Sequence, residues 1–153
     1  MGIQLPLHVN ASDRDRICRA LLDVTRHRLE DITVDAAPLE GEWPEDVRWA
    51  AAELEGRIKP KISRLTGRTK VPMNPTVDLD PSADGDFAIA CALAAHTWMT
   101  AISADQSIAL DTETFVELWV SPSEYVELVE RVRESGGDVR LLEPDPGLKP
   151  TYT

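Results

Sequence analysis

At 153 residues, 42% hydrophobic and 28% charged, the chain has the apolar content to fill one core and too little length to fill two. Its formal net charge of -11 wraps that core in an acidic surface, which repels phosphate and anionic lipid. Nucleic acid and membranes are thereby set aside as expected partners, and basic proteins favoured, although a high-salt or high-solubility background selects the same surface.

In chain order, Ile3, Leu5, Leu7 and Val9 alternate with polar or turn-forming residues and predict a short strand, confined to a sheet edge by Pro6. A helix capped by Ser12 follows, its buried stripe running through Ile17, Cys18, Leu21, Leu22, Thr25, Leu29 and Ile32. Its opposite face spaces Asp15, Arg19, Asp23, His27 and Asp31 by four, the step of an ion-pair ladder. "DITVDA" predicts a second strand.

Pro44 opens the next helix, whose apolar positions Val47, Ala51, Leu54, Ile58, Ile62 and Leu65 keep the helical step up to a stop at Gly67, with a kink or break expected near Lys59 because of Pro60. "VPMNPTVDLDP", with three prolines, is expected to be a connector. The eighteen residues 87–104 carry no formal charge, but His96, Thr97, Thr100 and Ser103 interrupt the run, and seven alanines keep it modestly hydrophobic. A helix buried at the centre of the domain accounts for it better than a membrane span.

"TFVELWV" predicts a strand with Val116, Leu118 and Val120 on one face and Phe115, Glu117 and Trp119 on the other. Ser121, Pro122 and Glu124 then form a capping box with proline at the first helical position, and Gly136–Gly137 stops the helix. "DVRLLEP" completes a strand-helix-strand unit, expected to cross over to a parallel neighbour. These elements predict one α/β or α+β domain over residues 1–143, a mixed sheet with about four packed helices, and a loose tail over 144–153.

The acidic stretch 77–86 matches part of a calcium loop counted from Asp80, with Ser82, Asp84 and Gly85 in place. The bidentate twelfth position holds Cys91, however, and the ninth Ala88, so half the cage is missing and no metal is expected. Asp84 or Asp86 reads instead as the acidic entry to a buried helix. Cys18 and Cys91 have no metal or redox spacing and apolar neighbours, which predicts free buried thiols in a reducing, cytoplasmic compartment. The start "MGIQLPLHVN" lacks the basic and apolar regions of an export signal.

No nucleophile elbow, zinc motif or phosphate-cradling loop occurs, so no cofactor and no enzymatic site is expected. Charge is segregated instead: Arg57, Lys59, Lys61, Arg64, Arg68 and Lys70 make residues 56–77 +6, against -17 for the rest. Trp43, ringed by Glu42, Glu45 and Asp46, suits an aromatic anchor in an acidic rim. The expected function is a non-enzymatic interaction protein of the inhibitor, immunity or antitoxin kind, covering a basic site on a partner through Glu42, Trp43, Glu45 and Asp46. A homo-oligomeric structural subunit, such as a viral or phage particle component, joins copies through the basic segment instead. A small enzyme using His96 or His27 is the third reading.

Overall fold

The computed structural model describes residues 1–6, 8–58, 61–62, 69–70, 75–113 and 116–149, with backbone only at 61–62 and 69–70. Among these residues twelve α-helices and strands follow one another: β1 (Gly2–Gln4), α1 (Ala11–Thr25), β2 (Leu29–Asp35), α2 (Arg48–Glu55), β3 (Lys61–Ile62), β4 (Thr69–Lys70), β5 (Thr76–Leu79), α3 (Asp84–Leu93), β6 (Met99–Ser103), β7 (Ile108–Asp111), β8 (Glu117–Trp119) and α4 (Pro122–Glu134). The fold is α+β, four helices against a six-stranded sheet in the order β1-β8-β7-β6-β2-β5, with β3 and β4 forming a separate ribbon. No helix among the described residues is long and apolar enough to cross a membrane.

Every pairing in the large sheet is antiparallel, which corrects the expected mixed sheet and parallel crossover. The reason lies after α4. Gly136 takes a left-handed φ of 81°, and Asp138 then caps a 3-10 turn over Val139–Leu142, accepting the Arg140 N–H, so "DVRLLEP" never extends into a strand. Residues beyond it return to the sheet edge, where Asp145 N–H donates to Gly2 O at 2.9 Å.

Other boundaries moved for local reasons. Asn10 rather than Ser12 caps α1, its side chain accepting the Asp13 N–H at 2.8 Å. The stripe leaves the helix after Thr25, because a 3-10 turn over Arg26–Arg28 intervenes and the β-branched run Ile32-Thr33-Val34 prefers the pleat. α2 ends at Glu55 instead of continuing to Leu65; proline disfavours helix at the residue before it, and Lys61–Ile62 pairs with Thr69–Lys70. The supposed connector hides β5, whose Val77 and Leu79 are buried while Thr76 and Asp78 are exposed; Pro75 is tolerated just before it because β5 is an edge strand. The uncharged run 87–104 splits into the body of α3 after its acidic first turn and the central strand β6, both interior and hence both without charge.

Two neighbouring rows of side chains explain the sheet. Leu79, Ile32, Ala101, Leu110, Leu118 and Ile3 stand side by side across all six strands and are buried beneath the helices. One residue along each strand the direction reverses, and the next row faces away from that core. α4 closes the layer with its predicted capping box, Ser121 Oγ accepting the Glu124 N–H and Glu124 accepting the Ser121 N–H. Ser121→Ala should lower stability by about 1 kcal/mol, read as a lower urea midpoint at unchanged slope.

Candidate functional site

The outward row consists of Asp78, Thr33, Thr100, Asp111, Glu117 and Gln4, one residue from each strand in register. It contains three carboxylates and no cation. Asp31 and Ile102 lie on one side of it, with Trp119 beyond them, and Asp35 and Thr76 on the other. Asp111 and Glu117 are direct cross-strand partners, an arrangement of like charges that destabilises a sheet.

Local hydrogen bonds fix this surface without neutralising it. Thr33 Oγ1 lies 3.0 Å from Asp78 Oδ1 and 3.2 Å from Asp31 Oδ2, so its single proton serves one carboxylate at a time. Asp111 Oδ1 accepts the Glu113 N–H at 2.9 Å. Partial burial, reinforced by the charge of Asp78, raises the Asp31 carboxyl above its ordinary range. Burial alone raises Asp35, and burial with the charge of Asp111 raises Glu117. Among the described residues, no cationic side chain forms an ion pair with any of these carboxylates.

The residues singled out from sequence lie elsewhere. Glu42, Glu45 and Asp46 are exposed before α2, but Trp43 is half-buried against the core and does not stand out as an anchor. The tryptophans that do stand out are Trp49 and Trp98. Arg57 is satisfied internally by Asp86, at 2.6 Å. Lys59, Arg64 and Arg68 lie outside the described residues, while Lys61 and Lys70 are placed by backbone pairing in the ribbon.

Each aspartate of the supposed calcium loop has another task. Asp80 Oδ1 accepts from Ser82 N–H and Oγ–H, Asp86 Oδ2 accepts the Asp80 N–H, and Asp84 pairs with Arg26 at 2.7 Å. Arg26 also lies over the Phe87 ring, 4.2 Å from its centroid. Asp84 and Asp86 sit in the first turn of α3 without capping it. No group of three or more metal-ligating side chains forms among the described residues.

Of the α1 ladder only Asp15–Arg19 closes, at 2.9 Å; Asp23 turns instead to Arg131 of α4, at 2.8 Å. His27 is exposed, its Nδ1 3.0 Å from Val24 O and its Nε2 3.6 Å from Glu124. His96 is half-buried in the turn after α3, not within an apolar helix, and borders a hollow with Glu40 and Glu42. Cys18 is buried and Cys91 half-buried; burial pushes each thiol up to about 12, so neither is a ready nucleophile.

The acidic face escaped the sequence reading because β5 and β7 did. "TVDL" is masked by flanking prolines, and "SIALD" is only one alternation long, closed to β6 by a turn with Gln106 at φ 67°. The usable signal was an acid at the outward position of successive short strands. No protein-family model matches the chain, and no match is found among curated proteins or solved structures.

Proposed function

We propose that this chain is an acidic, non-enzymatic interaction domain of the inhibitor, immunity or antitoxin kind, which covers a basic site on a partner protein with its open sheet face. The observation that carries the reading is the in-register pairing of Asp111 with Glu117 inside a polar row that has no cation among its six residues. A protein under selection for stability alone would place a Lys or Thr there; a locally unfavourable choice on a rigid sheet is what a binding surface requires. Cationic side chains of a partner would relieve the crowding and gain charge-assisted hydrogen bonds.

This reading centres the contact surface on the sheet rather than on Trp43, Glu45 and Asp46. Its test is capture of partners on the immobilised chain from native extract, with nuclease present, at low and high salt. A stoichiometric basic protein released by salt and identified by mass spectrometry is the expected result. Recovery of the chain alone, together with stable oligomers in sedimentation, would replace the reading with that of an assembly subunit.

A further inference from the structure

Two large apolar side chains that the described surface exposes, Leu39 at 41% and Trp98 at 45%, stand on one groove at the end of the acidic sheet face. The groove includes a cavity of about 170 Å³, lined among the described residues by Leu5, Val9, Leu39, Trp98 and Val116, with Thr112 as a polar member and Arg14 and Glu113 as charged ones. Past Trp98 and Glu113 the groove opens into a hollow of about 190 Å³ that includes Thr33, Asp35 and Thr100 of the sheet. At its other end Arg14 and Leu39 are shared with a smaller hollow bordered by Glu40, Glu42 and His96. The cavity, where apolar side chains stand beside Arg14, Thr112 and Glu113, thus adjoins two hollows that each carry two carboxylates.

Trp98 is presented on a fixed backbone. Its carbonyl accepts the Asp35 N–H at 2.9 Å, and the Thr97 hydroxyl is within bonding distance of Asp35 O and Ala37 O. On the other side Met99 N–H donates to Thr112 Oγ1 at 2.7 Å. An indole held in water on so rigid a support costs little further ordering when it is covered, the usual character of an interface anchor. Among the described residues Arg14 makes one long bond, Nη2 to Val9 O at 3.4 Å, and a guanidinium on the groove suits the backbone carbonyls of an incoming segment.

We infer that the groove receives one large apolar side chain from the basic partner, flanked in that partner by Lys or Arg residues that meet Asp35 and Glu113 at one end and Glu40 and Glu42 at the other. The inference rests on the acidic-face reading and adds the order of chemistry in the ligand, which is basic, apolar, basic. Charge complementarity at both ends selects a basic protein segment over a second copy of this chain's own acidic surface.

The test uses two capped synthetic peptides, Arg-Lys-Leu-Lys-Arg and Arg-Lys-Ser-Lys-Arg, titrated calorimetrically into the full chain at low salt. The leucine peptide should bind about tenfold more tightly or better, the worth of burying one such side chain. Trp98→Ala should abolish that advantage and Trp49→Ala, on α2 outside the groove, should preserve it. Equal binding of both peptides, or a leucine advantage that survives both Trp98→Ala and Leu39→Ser, overturns the groove and leaves the acidic face standing. Binding of neither peptide overturns both.

Discussion

Replacing Arg28 with alanine should destabilise the fold by about 3 kcal/mol, the cost of stranding a buried carboxylate. Arg28 lies in the turn between α1 and β2, and its guanidinium meets three other elements. Nε and Nη2 donate to Glu124 at 2.8 and 3.1 Å, Nη2 also donates to Trp119 O at 2.8 Å, and Nη1 donates to Ser103 Oγ. Glu124 is buried and simultaneously completes the cap of α4. Alanine would leave that carboxylate without its cation and Trp119 O without this donor, whereas Arg28→Lys supplies charge without the planar fork and should restore only part of the loss. Urea denaturation reads both effects; a loss below about 1 kcal/mol for alanine would mean that water replaces the guanidinium.

The same variant carries a pH signature. Burial works to raise the Glu124 carboxyl, but Arg28, the Ser121 N–H and His27 outweigh it and hold the group below its ordinary value. A depressed folded value contributes stability that is present above the unfolded value and lost as pH falls through the folded one. Arg28→Ala should therefore flatten the acid limb of the stability profile as well as lower its plateau.

Neutralising the outward row should move stability and binding in opposite directions. In Asp78→Asn/Asp111→Asn/Glu117→Gln the cross-strand repulsion disappears, and the fold should gain about 1 kcal/mol at neutral pH. The sign follows from the carboxyls. Glu117 is raised by burial and by Asp111, so its folded form holds a proton more tightly than the unfolded chain does, and stability is lost as pH rises through that folded value. The gain in the variant should accordingly shrink in acid, where Glu117 is itself protonated and no longer repels Asp111. Capture of a basic partner should fall about a hundredfold or more, because three charge-assisted contacts are removed at once. A variant that is more stable and still binds fully would exclude the sheet face as the contact surface.

What could be read from sequence was set by the length and purity of each pattern. α1 and α4 declare themselves through several turns of stripe plus caps, and β8 through a run of alternation, so all three were placed with errors only at their ends. β5 and β7 present a single alternation each, too short to separate from loop. The C-terminal segment 138–142 has strand-like residues, yet Asp138 closes a turn there, a local capping bond outweighing propensity. The candidate site shared the fate of its weakest strands. Carboxylates at positions 78, 111 and 117 become one surface only when strand order and register are known, and nothing in the spacing of those numbers reveals them.

The strand order also sets a timetable for synthesis. The meander of β6, β7 and β8 lies within some twenty residues of chain, and β2 joins one side of it. β1 precedes the other strands in the chain and, among the described residues, pairs only with β8, so Gly2–Gln4 has no place in the sheet until Glu117–Trp119 has left the ribosome. Until then the growing chain carries Ile3 and Leu5 without the strand that covers them, and closure of the sheet has a long loop to bring together.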